Sequence, residues 1–423
     1  MRKVLVITYY WPPAGGPGVQ RWLKFVKYLK DFDIEPVVYV PENAQYPLTD
    51  ETFLKDVPED ITIYTHPILE PYRLASLFSR KKTKRISAGI ITSKHQSVLE
   101  KILLWVRGNL FIPDARKFWV GPSVDFLKGI LEKEGIETII TTGPPHSMHL
   151  IGYRLKMAKP LHWIADFRDP WTSIGYHKKL KLTSSSQRKH KELERLVLNT
   201  ADKIIVTSKT TQKEFQQLTN QPIAVITNGF DTQETVNLEL DKKFTISHIG
   251  SMLTGRNPTN LWRTLSELRK ELPAFNAALQ LQFIGVIGDD ILSSLDKFGL
   301  NDVAEMVGYV SHENALAYQK TSQVLLLVEI DTPETKGIIP GKLFEYMSAK
   351  RPILGIGPKH WEVSEMISGT NSGAIFEYTD DVPLKNKLIQ WFEHYQNGKL
   401  SVESTRLEQY SRRELTRTLA AYI

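Results

Sequence analysis

The chain opens on an unbroken apolar run, KVLVITYY over residues 3–10, which ends in a cluster of prolines and glycines. Such a run, without polar alternation, predicts a strand buried on both faces, as in a parallel sheet. VQRWLKFVKYLK follows with Val19, Trp22, Leu23, Val26 and Leu29 at helical spacing, and PVVYV (36–40) predicts the next strand. Further strands are expected at 61–64, 138–142, 162–166 and 203–208, with helical patterns between most of them. This is the order of a doubly wound α/β sheet. After ITNGFD (226–231) the pattern restarts: FTISHIG (244–250) is a strand running into a glycine, and LWRTLSELRKEL is a helix. Later strands are expected at 281–286, 304–310, 323–330 and 351–357. The boundary falls near 230–243, dividing the chain into 1–230 and 231–423; the tail from Asn386 to Ile423 reads as helices, one of which can cross back to brace the first unit.

A length of 423 residues agrees with two cores rather than one, and 41% hydrophobic with 24% charged residues is an ordinary globular balance. Cysteine is absent, which excludes disulfides, thiolate zinc sites and cysteine nucleophiles, and fits a reducing cytoplasm. No apolar stretch reaches the roughly 18–20 residues of a membrane span, and no cleavable signal pattern precedes the first strand, so a cytoplasmic location is expected. The net charge of +7 is uneven: residues 1–230 hold 34 Lys and Arg against 22 Asp and Glu, residues 231–423 hold 20 against 25. Between Phe78 and Trp119 stand Arg80, Lys81, Lys82, Lys84, Arg85, Lys94, Lys101, Arg107, Arg116 and Lys117 against Glu100 and Asp114 alone. Phosphate-rich partners, anionic lipid headgroups or a diphosphate-linked substrate suit such a surface, although a solvated charged face explains it too.

In open parallel sheets ligands bind beyond the carboxyl ends of the strands, so the loops there are the candidate sites. AGGPGVQR (14–21) joins the first strand to the first helix, placing backbone N–H groups of Gly15, Gly16 and Gly18 near a helix N-terminus where an anion fits. Its order is neither GxGxxG nor the phosphate loop ending in Lys-Ser/Thr, so no nicotinamide or ATP site is indicated, and a tight turn alone would also account for it. ADFRDPW (165–171) ends a strand with Asp166, Arg168 and Asp169, a density of charge that suits either an active site or a structural salt bridge. TTGPPHSMH offers His146 and His149 beyond another strand end. In the second half SHIGSMLTGRNP places Gly250 and Ser251 for backbone contact and Arg256 for bidentate contact with a diphosphate; an exposed loop arginine is the plain alternative. ETKGIIPGKLFEYMSAKRP (334–352) carries Gly337, Pro340 and Gly341 into a helix on which Lys342 and Glu345 share one face. No His/Asp/Glu arrangement supports a metal site, and Asp289-Asp290 reads as a turn; Arg256, Lys342 and helix N-termini would neutralise a diphosphate without a divalent ion.

In this order, YYWPPAGGPGVQR, TTGPPHSMHLIG, WIADFRDPW, ITNGFD, HIGSMLTGR, GYVSHENALAYQKTSQVLLL and PGKLFEYMSAKRPIL resemble the retaining GT-B glycosyltransferases of family 4, particularly bacterial enzymes of surface polysaccharide assembly. The last segment is the most specific, and the resemblance spans nearly the whole chain. It implies two Rossmann-like domains facing a cleft, a nucleotide-sugar donor, and a glycan or lipid-linked acceptor, with no cofactor and no metal. It further implies that Arg256 and Lys342 meet the donor diphosphate, that Glu345 binds the ribose, that Gly16 adds a backbone contact, and that the Asp166, Arg168 and Asp169 segment lies near the reacting sugar; His146 is a catalytic candidate from its place alone, to orient a hydroxyl, and a plain helix-start histidine accounts for it equally. Retention of configuration by front-side attack is the expected chemistry. Where the family shows a first glutamate eight residues before the position of Glu345, this chain has Gly337; the nearest acid is Glu334, and whether it takes over that contact the sequence leaves open.

Three further readings accompany this one. The basic region, with LEKILLWVRGNLFIP (99–113) and its apolar Ile102, Leu103, Val106 and Leu110, docks on an anionic membrane as a peripheral protein of the inner face. A nucleotide-sugar epimerase shares the two-domain architecture. A non-enzymatic phosphate- or nucleic-acid-binding module rests on the pI of about 9.1 and the basic run alone, with no nucleic-acid motif beside them, so no nucleic-acid partner is expected.

Overall fold

A computed structural model describes residues 1–70, 98–175, 177–231 and 238–423. Two compact units are present: Met1–Asn228 with Arg412–Ile423, and Gly229–Ser411.

The first unit is built on a seven-stranded sheet, ordered β3-β2-β1-β4-β5-β6-β7, in which every pairing is parallel. Its strands are β1 (Arg2–Ile7), β2 (Ile34–Pro41), β3 (Thr62–His66), β4 (Thr138–Gly143), β5 (His162–Phe167), β6 (Lys203–Val206) and β7 (Ile223–Val225). The unbroken apolar runs have a direct explanation here. Leu5, Ile7, Ile139, Trp163, Ala165, Ile204 and Val206 enter one core, while Val4, Val6, Ile140, Ile164 and Ile205 enter the other. Both faces are covered by helices, so no position in a central strand can be polar without cost. The helix Pro17–Leu29 buries Val19, Trp22, Leu23, Val26 and Leu29 in the second core. Leu415, Leu419 and Ile423 join the same core from the C-terminal helix Arg412–Tyr422, and Arg413 pairs with Asp31 at 3.0 Å.

In the second unit six strands run β10-β9-β8-β11-β12-β13, again parallel throughout. They are β8 (Phe244–Ile249), β9 (Leu279–Ile284), β10 (Ala304–Gly308), β11 (Val324–Val328), β12 (Ile353–Gly357) and β13 (Gly373–Glu377). Val324, Leu326 and Val328 face one core, Leu325 and Leu327 the other. The short strands β7 and β13 are absent from the sequence reading; IAV and GAIFE offer too few apolar positions to signal a strand by pattern alone. Asp289 and Asp290 open the helix Asp289–Lys297 rather than forming a turn, which suits acids beside a helix N-terminus.

In each sheet the chain winds outward in both directions from one pair of central strands: β1 and β4 in the first unit, β8 and β11 in the second. At such a switch point the adjoining loops diverge and leave a crevice at the strand ends. Among the described residues no helix is long and apolar enough to cross a membrane.

Candidate active site

Beyond β8 and β11 the second unit gathers its charged side chains. The helix Lys342–Ala349 buries Leu343, Phe344, Tyr346 and Met347, leaving Lys342 and Glu345 on its remaining face. Tyr346 fixes that helix against β8 by accepting the Ile249 N–H at 2.9 Å. As a result Lys342 Nζ reaches His248 Nε2 at 3.1 Å. The other ring nitrogen, Nδ1, lies 3.0 Å from the Leu326 carbonyl, which can only accept; Nδ1 therefore carries the proton and Nε2 accepts from the lysine. Burial and the neighbouring Lys342 charge hold His248 neutral, well below the usual histidine range.

Gly250 follows with φ of +100°, and a Cβ at that position would lie 2.9 Å from Lys342 Nζ. Both the backbone and the approaching ammonium thus require glycine. Ser251, next along, is exposed. Asn257 pins the loop by donating to the Asp290 carbonyl at 3.0 Å and Ser294 Oγ at 2.8 Å, and it accepts from Trp262 Nε1 at 2.8 Å. Arg256 then extends back to Glu329, the residue directly after β11, with Nη2 at 3.0 and 3.2 Å from its two carboxylate oxygens. Glu345 accepts from Gln319 Nε2 at 3.0 Å. Burial, with Arg256 beside it, pushes the Lys342 ammonium down to about 7, against the opposing pull of Glu329 and Glu345. Arg256, Lys342, Glu345 and Gly250 therefore share one site, and sequence reasoning missed two of its members, His248 and Glu329. Glu329 was hidden as the last polar letter of an apolar run; its place at a central strand end was the available signal.

In the first unit the corresponding loops belong to β1, β4 and β5. Gly16 is the N-cap of the helix Pro17–Leu29, with φ of 92°. Gly15 donates its N–H to the Leu48 carbonyl at 2.9 Å, so that group is taken and not offered to an anion. Arg168 crosses all three loops: its Nη1 lies 2.4 Å from where a Cβ on Gly18 would stand, Nη2 donates to the Pro144 carbonyl, and its guanidinium sits 5.6 Å over the Tyr10 ring. Asp169 is exposed beside it.

Asp166 differs. Its side chain is wholly buried and accepts four hydrogen bonds: Arg21 Nη2 at 2.8 Å and Nε at 3.3 Å, Trp22 Nε1 at 2.7 Å and Thr142 Oγ1 at 2.8 Å. Burial opposes its charge, but Arg21 and these donors outweigh the penalty and hold the carboxyl below the usual range. Arg21 also donates to the Thr227 carbonyl at 2.9 Å. Asp166 is accordingly an anchor between β5, the first helix and the end of the unit, without a free oxygen for a substrate.

His146 caps the helix Ser147–Ala158 from a buried position, its ring stacked on Trp171 at 4.7 Å and both nitrogens without partners. His149 is deeper. Thr141 Oγ1 receives the Trp163 N–H at 2.9 Å and shares a hydrogen bond with His149 Nδ1 at 2.9 Å, while His149 Nε2 is buried without a partner. Burial keeps His146 well below the usual histidine range and pushes His149 down to about 3.

The basic run is only partly visible: Arg80, Lys81, Lys82, Lys84, Arg85 and Lys94 lie outside the described residues. Arg116 is no part of a surface, since it is buried against Glu70 at 3.2 Å and against Tyr9. On the helix Val98–Leu110, Ile102, Trp105 and Leu110 are exposed, as is the nearby Phe118, while Leu103 and Leu104 pack against Leu180 and Leu182.

Residues 86–234 match the Glycosyltransferase Family 4 model. No curated protein sequence matches the chain closely enough to count as a relative. Among solved structures it is similar to sucrose-phosphate synthase from Thermosynechococcus elongatus, at 14% identity over 99% of this chain and 95% of that one with a TM-score of 0.57. It is also similar to the lipopolysaccharide outer core galactosyltransferase WaaB in its apo form, at 12% identity over 100% and 99% with a TM-score of 0.58. A mutant of TarM from S. aureus in complex with fondaparinux, alpha-GlcNAc-glycerol and UDP is 12% identical over 100% and 99%, with a TM-score of 0.56. At such identities these likenesses speak to fold. Two parallel sheets of seven and six strands, matched along the whole chain by these structures, define a GT-B fold. With the glycosyltransferase segment lying almost wholly in its first unit, the protein is a glycosyltransferase.

Proposed function

We propose that the protein transfers a hexose or N-acetylhexosamine from a nucleotide sugar to a glycan or lipid-linked acceptor in surface polysaccharide assembly, with retention and without a divalent ion. The observation that carries the donor half is the convergence of Arg256, Lys342 and Glu345 at the β8/β11 switch point. Arg256 and Lys342 meet the diphosphate, Glu345 the ribose, and Gly250 and Ser251 give it close backbone. In the reaction the bond from the anomeric carbon to the diphosphate oxygen breaks as an acceptor hydroxyl attacks on the same face. Its proton passes to the departing phosphate, so no protein nucleophile is needed. The two cations stabilise the charge that develops on that phosphate. Arg168 and Asp169 position the acceptor, Asp166 holds their loop, and neutral His146 supports it by stacking. UDP bound to the TarM mutant agrees with a nucleotide donor.

Exposed Ile102, Trp105 and Leu110, with Lys101, Arg107 and Lys117 near them, favour a helix lying on an anionic membrane to reach a lipid-linked acceptor. The family match favours transfer over epimerisation, and product analysis separates the two because an epimerase turns over without an acceptor.

Thermal-shift measurement against UDP-, GDP-, dTDP- and ADP-sugars tests the donor site. At least one is expected to stabilise the protein. Lys342→Ala and Glu345→Ala are each expected to weaken it about tenfold or more, the worth of one charge-assisted hydrogen bond, at an unchanged ligand-free Tm. Donor affinity unaltered in both variants refutes the assignment and favours the phosphate-binding module.

A further inference from the structure

Glu329 is a buried carboxylate that the donor-site reading leaves without a task. It directly follows β11, with its side chain 0% exposed. A charge in such a place is tolerated only when cations and N–H groups compensate it. Here Arg256 Nη2 meets both oxygens, and the Ile330 N–H donates to Oε1 at 2.8 Å. Arg256 is the exposed half of the pair, 29% accessible. Among the described residues no other hydrogen bond engages its side chain, so its Nε and Nη1 donors remain open. Tyr378 holds the strand end in place by donating to the Glu329 carbonyl at 2.9 Å.

Two cations, Arg256 and Lys342, lie close enough to act on each other electrostatically. The groups around Lys342 are Arg256 from the loop after β8, Glu329 directly after β11, Glu345 from its own helix and neutral His248 from β8. Glu329 is thus the fixed anion that lets both cations stay together before a ligand arrives. Gly337 stands where the family pattern has its first acid, and Glu334 is exposed on the loop.

We infer that Glu329 is a positioning residue for the donor diphosphate: it holds the Arg256 guanidinium at the end of β11 with one edge free for phosphate oxygens, without touching the donor itself. This rests on the donor-site reading above and deepens it. Preorganising a long cation removes the cost of ordering it at binding, so loss of Glu329 weakens diphosphate binding while nucleoside binding stays as it was.

Isothermal titration of UDP, GDP, ADP and dTDP, and of the matching nucleosides, tests this on the full chain. For the nucleoside diphosphate that the wild type binds best, Glu329→Gln is expected to raise Kd about tenfold at pH 7 and leave the nucleoside Kd unchanged. The wild-type affinity falls as pH rises above about 7, because Lys342 loses its proton. In Glu329→Gln that fall begins at lower pH, since the raising influence of Glu329 is gone. Glu329→Asp, which keeps the charge but recedes by a methylene, is expected to weaken binding severalfold with the pH profile retained, and it serves if the glutamine variant does not fold. Wild-type failure to bind any of the four diphosphates overturns the donor site and this inference together. Normal wild-type binding with unchanged diphosphate affinity and pH profile in Glu329→Gln, or unchanged affinity in Glu329→Asp, overturns this inference alone.

Discussion

Single residues divide into those that bear charge outward and those that use it to hold the fold. Asp166 lies near the end of β5 and Glu329 directly after β11, and each is a buried carboxylate paired with an arginine, Arg21 or Arg256. The difference lies in the arginine. Arg21 is 1% exposed and spends its donors on Asp166, Thr227 and Asn228, whereas Arg256 keeps donors free. Removing Arg21 leaves Asp166 charged and unpaired in the interior. Arg21→Met is therefore expected to cost about 3–5 kcal/mol of stability, read by urea unfolding, with much of it recovered in the Arg21→Met/Asp166→Asn pair. A loss under about 1 kcal/mol would show that the carboxylate tolerates isolation. From sequence alone, the charges of ADFRDPW could be seen to matter, but which acid was spent on structure could not, because Arg21 lies 145 positions away.

At the scale of elements, the helix Pro17–Leu29 was legible down to its buried positions, since amphipathic periodicity depends only on local spacing. The helix Lys342–Ala349 was equally legible in its Lys342 and Glu345 face, yet its anchoring through Tyr346 to Ile249 joins segments distant in sequence. The helix Val98–Leu110 mixes both kinds of position. Leu103 and Leu104 serve packing, while Ile102, Trp105 and Leu110 face solvent. Burying such a face in a lipid interface gains roughly 25 cal/mol for each Å² of apolar area. Ile102→Glu/Trp105→Glu is expected to abolish flotation with vesicles containing anionic lipid and leave donor binding intact. Equal flotation of variant and wild type, or none by the wild type in low salt, removes the membrane element.

At the scale of the whole molecule, the first unit is expected to lose stability in acid. His146, His149 and His190 are buried there, and burial lowers the pKa of each. In the unfolded chain these rings protonate near 6.5, while the folded protein resists, so the stability they confer is complete above that pH and declines as pH falls below it. Each ring held neutral withdraws about 1.4 kcal/mol per pH unit in that window. The urea midpoint is expected to drop between pH 7.5 and 5, less steeply in His149→Asn; a flat midpoint would mean the folded rings protonate freely.

The apolar runs alone determined two parallel α/β sheets, because a strand covered on both faces has no polar position to spare and the chain must write that down locally. They also determined the helix faces and the loops in which Arg256, Lys342 and Glu345 stand. Only the tertiary structure decided that β8 and β11 are the central neighbours, that His248 and Glu329 share the lysine and arginine, and that Asp166 is sealed. Those outcomes depend on strand order and on pairings across long separations, which no local spacing encodes.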